Sequence, residues 1–235
     1  MTLPQFGLDV ACAAMARSPL FHGIEPDELT RIALSMHRRR YRRDEVIFHE
    51  GDPGDSLHIV VEGRVKITRE SAEGGEAIVV VLQAGDSFGE LCLLDGAPRS
   101  ATAIAMEPTE TMTMSRTTFV ELVEGGSPFR AQLLTGIARR IRRLTDQLAE
   151  VHFLDLAGRL ALQLARLAEE ADPAGTKDIA LNRSITQSDL ASMVGGTRQR
   201  VNQIIGDFVD EGLIRQEAGH IVVRDLEQLR RRSTW

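Results

Sequence analysis

A carboxylate and a guanidinium, Glu90 and Arg99, stand nine residues apart in the segment DSFGELCLLDGAPRSATA, Asp86 to Ala103. The apolar run Leu91 to Leu94 and the turn DGAP separate them, and Ser100 and Ala101 follow the arginine directly. A fixed cation beside a hydroxyl and main-chain N–H groups suits a phosphate, because hydrogen bonds to an ionised group are the strong ones. An ionised carboxylate only accepts, and so suits hydroxyls. The pair fits a ligand that is anionic at one end and rich in hydroxyls at the other. Gly89 and Ala101 leave room for that ligand to approach the backbone closely. A salt bridge between Glu90 and Arg99 would account for the two charges but not for the small residues around them.

A second constellation follows Thr197. Arg198, Gln199, Arg200, Asn202 and Gln203 offer planar donors and acceptors with almost nothing apolar between them. Arginine reads guanine through O6 and N7, and glutamine or asparagine reads adenine through N6 and N7. A helix that only packs would not need such a face; one that enters a major groove would.

Other chemistries are poorly served. There is no nucleophile–base constellation, no GxxxxGK[ST] loop and no metal triad, so no enzyme is expected. The two cysteines, Cys12 and Cys92, are too few for a disulfide framework or a four-thiolate cluster, and the six histidines are scattered singly. No metal site is expected. The net charge of −6 does not advertise nucleic-acid binding, although the stretch from Asn182 to Trp235 is close to neutral while the rest is acidic. No apolar run approaches the ~20 residues that a membrane span needs. The N-terminus lacks a basic region before its apolar part, so no signal peptide is expected and the compartment is read as cytoplasmic.

The elements that must hold these residues can be read in order. Helical texture from Glu25 to Met36 gives way to short β-rich runs between Tyr41 and Arg116: EVIFHE, SLHIVVEGRVKITR, AIVVVLQAG and ATAIAMEP. Close-spaced strands with Gly, Asp and Pro turns point to a small antiparallel sandwich or barrel. The segment EGDPGDS is read as turn geometry alone, and the basic RRRYRR at 38–43 as a solvated surface run. From Ser127, a helix N-cap beside Pro128, the texture is helical. Leu134, Ile137, Ile141, Leu144, Leu148 and Val151 alternate spacings of three and four, the seam of a helix pairing with another helix. A homodimer is expected. A second helix, LAGRLALQLARLAEEA, leads to QSDLASMV, capped by Thr186, and RQRVNQIIGDFVDEG, capped by Thr197. Between these two helices Ile185, Leu190, Val194, Val201, Ile204, Ile205 and Phe208 must be buried. LIRQEAGHIVVRD reads as a hairpin turning at Ala218-Gly219, which completes a winged helix-turn-helix.

Three segments, GDSFGELCLLDGAPRSATA, ARRIRRLTDQLAEVHFLDLAGRLA and ITQSDLASMVGGTRQRVNQII, resemble the Crp/Fnr family of bacterial transcription regulators from Leu20 onward. The first is similar to the phosphate-binding cassette of cyclic-nucleotide-binding domains. The resemblance implies an α+β protein in three parts. A β-barrel or jelly-roll cyclic-nucleotide-binding domain spans 1–127, a dimerisation helix 128–152 and a winged helix-turn-helix DNA-binding domain 153–235. It implies that Gly89, Glu90, Leu91, Cys92, Arg99, Ser100 and Ala101, with Arg142, Leu144 and Thr145 of the long helix, bind the effector. In the family a Thr followed by Ser or Asn meets an adenine; Leu144 and Thr145 stand there, so one hydroxyl is absent. Ser100, directly after the arginine, keeps cyclic GMP open beside cyclic AMP, which is preferred. The DNA contacts would be Thr186, Ser188, Thr197, Arg198, Gln199, Arg200, Asn202 and Gln203. Gln199 and Gln203 replace residues typical of family activators, so a different palindromic operator is expected. Further partners are double-stranded DNA and RNA polymerase, with no membrane. Alternatives on the same fold are haem sensing through His49, His58 or His152, a protein with no ligand, or a regulatory subunit that binds no DNA.

Overall fold

The computed structural model describes residues 5–71, 73–126, 128–182, 184–217 and 220–233. Ser127 and the turn residues Ala218-Gly219, singled out above, lie outside the described residues. The chain divides into two compact units, residues 1–74 with 79–142, and residues 75–78 with 143–235.

The first unit opens with helix α1 (Gln5–Arg17), a 3-10 turn at Pro19–Phe21 and α2 (Pro26–Ser35). Pro26 suits the first turn of α2, where an N–H would have no partner in any case. Strands β1 (His37–Tyr41), β2 (Val46–Phe48), β3 (Ser56–Glu62), β4 (Val65–Glu70), β5 (Glu76–Leu82) and β6 (Ser87–Phe88) follow. A short helix α3 (Leu91–Asp95), strands β7 (Thr102–Ala105) and β8 (Thr109–Ser115), α4 (Arg116–Glu124) and the long α5 (Pro128–Phe153) complete it. The strands form two sheets in the orders β1-β8-β3-β6 and β2-β7-β4-β5.

Alternation along β3 explains the layering. Val60, with Val65, Leu82, Phe88 and Ala103, builds a core drawn from both sheets. Leu57 and Ile59, pointing the other way, join Met112 and Met114 of β8. Helices cover that second face, contributing Met15, Phe21, Ile32, Phe119, Phe129 and Leu133. Each fully buried large side chain contributes about 1.5–3 kcal/mol.

The RRRYRR run is not simply a solvated surface. Its first residues form β1, an edge strand paired with β8, and Arg38 and Arg40 both hold the buried carboxylate of Glu110. Burial alone would raise the pKa of Glu110, but the two guanidiniums outweigh it and leave it below the usual carboxylate value.

The second unit takes in the far end of α5 and then α6 (Leu156–Ala171), β9 (Lys177–Ala180), α7 (Gln187–Val194) and α8 (Arg198–Asp210). Strands β10 (Ile214–Glu217) and β11 (His220–Asp225) and helix α9 (Leu226–Arg232) follow. β10 and β11 pair antiparallel up to Glu217 opposite His220, so the hairpin is present, and β9 adds a third strand. Leu190, Val194, Val201, Ile204, Ile205 and Phe208 are buried in one core with Leu160, Leu164, Val223 and Leu229, and Ile185 packs against it half-buried. Among the described residues, no helix is long and apolar enough to cross a membrane.

Candidate functional site

The segment between β6 and β7 folds into α3 and a turn in which Ala97 N–H donates to the Asp95 carboxylate. This brings Arg99 back beneath Gly89. Arg99 is 5% exposed and tightly held. Its Nη1 donates to Gly89 O at 2.8 Å and to Cys92 Sγ at 3.2 Å, and its Nη2 donates to Ser56 O at 2.9 Å. The guanidinium carbon lies 4.1 Å from the centre of the Phe48 ring, a cation–π contact. Nε is buried with no partner.

Gly89 has φ 83°, and a Cβ there would lie 2.4 Å from Arg99 Nη1. The room this glycine leaves is therefore filled by the arginine itself, not held open for a ligand. The turn EGDPGDS does more than reverse the chain. Asp52 O accepts from Arg99 N–H at 2.9 Å, Gly51 N–H donates to Arg99 O at 2.9 Å, and Ser56 O receives the guanidinium. The sequence reading of this segment as turn geometry alone missed its place in the arginine's surroundings.

Glu90 is equally buried, and it does not pair with Arg99. Its Oε1 takes Arg140 of α5, whose Nη2 also donates to Ser87 O at 3.3 Å. Its Oε2 is buried with no partner. A buried donor or acceptor left unpaired costs about 1–3 kcal/mol. One orphan donor on the cation and one orphan acceptor on the anion suit a molecule that brings a phosphate to the first and a hydroxyl to the second.

Beside this pair, His58 stacks on Phe88 with centroids 4.9 Å apart and faces Phe48. Its ring nitrogens approach the hydroxyls of Thr111 and Ser56 at 3.4 and 3.5 Å. Burial, reinforced by the charge of Arg99, pushes its pKa down to about 3, so the ring is neutral. A histidine enclosed in this way is poorly placed as a haem ligand. Among the described residues no group of three or more His, Cys, Asp or Glu side chains could hold a metal.

The remaining expected ligand residues are placed as follows. Cys92 is buried, Ala101 is half-buried, and Leu91, Ser100, Arg142, Leu144 and Thr145 are exposed. Arg140, which sequence reasoning missed, is the α5 cation at Glu90, whereas Arg142 faces solvent. Residues two apart on a helix point to nearly opposite sides. Phe129, Leu133 and Ile137 already face the first unit's core, and Arg140 continues their spacing; that stripe was the available signal.

The face of α5 beside that stripe is apolar and exposed. Leu134, Leu148 and Val151 are each 62% exposed, and Ile141 and Leu144 are exposed as well; only Ile137 of the seam turns toward its own unit.

In the second unit α7 begins with a capping box. Thr186 Oγ1 accepts from Asp189 N–H at 3.1 Å, and the Asp189 carboxylate accepts from Thr186 N–H at 2.9 Å. Thr197 caps α8, accepting from Arg200 N–H at 3.2 Å. Val201, Ile204, Ile205 and Phe208 fix the buried side of α8, which leaves Arg198, Gln199, Arg200, Asn202 and Gln203 exposed. Arg200 Nη1 donates to Gln203 Oε1 at 2.7 Å. Ser188 is exposed on the first turn of α7. Arg159 of α6 donates to Leu154 O at 2.9 Å and to Val194 O at 3.0 Å, tying the end of α7 to the α5–α6 junction.

Comparison with known proteins agrees with both halves of this geometry. Residues 38–125 match the cyclic nucleotide-binding domain family, and residues 158–232 match the Crp-like helix-turn-helix domain family. The chain is 32% identical over 219 residues to the CRP-like cAMP-activated global transcriptional regulator of Mycobacterium tuberculosis, covering 93% of this chain and 98% of that one. It is 32% identical over 212 residues to the cyclic AMP receptor protein of Thermus thermophilus, covering 90% and 94%. Among solved structures, the Thermus thermophilus catabolite activator protein is 30% identical with a TM-score of 0.53, covering 92% of this chain and 98% of that one. FixK2 from Bradyrhizobium japonicum, 20% identical, shares the fold with a TM-score of 0.76, covering 85% and 98%. A cyclic nucleotide-binding β-domain followed by a Crp-like helix-turn-helix makes this chain a member of the Crp/Fnr family of DNA-binding transcription regulators.

Proposed function

We propose that the protein is a homodimer that binds a palindromic operator in response to a cyclic nucleotide, with cyclic AMP favoured over cyclic GMP. The observation that carries the effector is the pair of unsatisfied buried atoms, Arg99 Nε and Glu90 Oε2. A cyclic phosphodiester supplies an acceptor to the first, and a ribose 2′-hydroxyl supplies a donor to the second. Gly89, Leu91, Cys92, Ser100 and Ala101 surround that cassette, and Arg142, Leu144 and Thr145 follow Arg140 on α5. Relatives named as cAMP-activated favour the adenine nucleotide. Leu144, where the family has a hydroxyl, removes one hydrogen bond to the base, a difference of about 0.5–1.5 kcal/mol.

The dimer is supported by the exposed apolar stripe Leu134, Ile141, Leu144, Leu148 and Val151 on α5. A two-fold dimer places two copies of α8 against half-sites one helical turn apart, ~34 Å. Arg198, Gln199, Asn202 and Gln203 then read bases, while Thr186, Ser188, Thr197 and Arg200 meet the backbone. Nucleotide and DNA must each strengthen the other's binding, because linkage is reciprocal. RNA polymerase is the expected downstream partner, and no catalytic step is assigned.

Calorimetric titration with cyclic AMP and cyclic GMP, repeated on Arg99→Ala, tests the effector. The wild type is expected to bind at least one of them and the variant to lose at least ~100-fold in affinity, the scale of a charge-assisted contact left unpaired. Binding of neither nucleotide by the wild type would remove the effector assignment. A gel shift with genomic fragments tests the DNA claim separately.

A further inference from the structure

Arg116 stands outside the cassette, seventeen residues beyond Arg99, at the first position of α4. Its guanidinium is spent on three carbonyls. Nη2 donates to Cys92 O at 2.8 Å and to Gly54 O at 3.0 Å, and Nη1 donates to Leu93 O at 3.4 Å. Its own N–H donates to Asp55 O at 2.8 Å. The carbonyls belong to two different walls. Cys92 and Leu93 lie on α3, and Gly54 lies on the turn before β3.

Arg99 runs between those same walls. From the α3 side it is met by Cys92 Sγ, and from the turn side by Ser56 O, two residues after Gly54. The walls touch with almost no tolerance: a Cβ on Gly54 would lie 2.1 Å from Cys92 Sγ and 3.1 Å from Arg99 Nε. We propose that Arg116 is a positioning residue for cyclic nucleotide, a staple that fixes the gap between α3 and the Gly54–Ser56 segment and so aims Arg99. A guanidinium suits the task because its rigid, planar fork holds spread donors in a fixed geometry, whereas the compact ammonium of lysine turns freely on a flexible stem. Loosening a supporting contact degrades a binding site even when the contacting residue is intact.

This inference rests on Arg99 being the phosphate ligand, so the experiment separates the two. Titrations use cyclic AMP and its Sp and Rp phosphorothioate diastereomers on the full-length wild type, Arg116→Gln and Arg116→Lys. An aimed guanidinium tells the two exocyclic phosphate oxygens apart, so the wild type is expected to bind the diastereomers unequally. Arg116→Gln is expected to lose on the order of tenfold in affinity for cyclic AMP and to bring the diastereomer ratio toward one. Arg116→Lys, which keeps a cation at the end of α3, carries the same test if the glutamine variant does not fold, with the same loss of discrimination. Unchanged affinity and ratio in the folded variants would overturn the proposal. So would an equal loss for both diastereomers with the ratio preserved, the mark of a general weakening of the domain. Failure of the wild type to bind any of the three ligands would instead overturn the underlying assignment of Arg99.

Discussion

At the scale of single residues, the site is governed by which charges are left unsatisfied. Arg99 has used both terminal nitrogens on the protein, so only Nε retains unspent donor capacity. That Glu90 and Arg99 lie in one local segment was legible in the sequence, since only the short helix α3 and a turn separate them. Arg140 was not, because its meeting with Glu90 depends on how α5 packs fifty residues later. His58 was visible only as an isolated histidine, and its aromatic enclosure is a tertiary fact. That enclosure has a measurable consequence. With a folded pKa of about 3 against an unfolded value near 6.5, stability is complete above pH 6.5 and declines as pH falls, because only the unfolded chain takes up the proton. The decline is at most about 1.4 kcal/mol per pH unit, and it levels off near pH 3. Urea unfolding between pH 4 and 7 should therefore show a steeper acid loss in the wild type than in His58→Phe, which can stack but not titrate. Equal slopes would show that the ring is more open to solvent than the geometry allows.

At the scale of elements, periodicity was legible where a segment had one job. The core of α7 and α8 was read residue by residue, since two amphipathic helices and their caps leave little freedom. Strand β8, TETMTMS, was passed over although its threonines and methionines alternate; threonine favours strands, but methionine is not among the residues enriched there, so the run reads as less apolar and less β-rich than valine or isoleucine would make it. β1 was hidden by its arginines, which an edge strand tolerates because one side of its ladder is free. Helix α5 carries two stripes, an exposed one and an inward one; the exposed one was legible while the inward one was overlooked. The seam makes a direct prediction. Leu148→Asp places a charge in the middle of the exposed stripe, where burial against a second copy would contribute about 1.5–3 kcal/mol per leucine. Sedimentation should show wild-type dimer and variant monomer at equal concentration, with the circular dichroism of each unit retained. A variant that remains dimeric would place the subunit contact elsewhere.

At the scale of the whole molecule, the division between units falls inside a helix and not in a loop: residues 142 and 143 are consecutive within α5. The sequence located the long helix but offered no sign that the boundary would fall within it, since no proline or glycine marks the place. A helix advances about 100° per residue, so the phase of a stripe along α5 is set by arithmetic. Inserting one alanine after Arg143 would turn the rest of α5 by about 100° and carry Leu148 and Val151 off the stripe that Leu134 and Ile141 begin. Duplicating residues 144–150 would bring the stripe back to within about 20°, at the cost of added length. Gel shifts on a genomic fragment that the wild type binds should show binding abolished by the single insertion and partly regained by the seven-residue one. Equal behaviour of the two would mean that DNA binding does not depend on the phase of the stripe along α5.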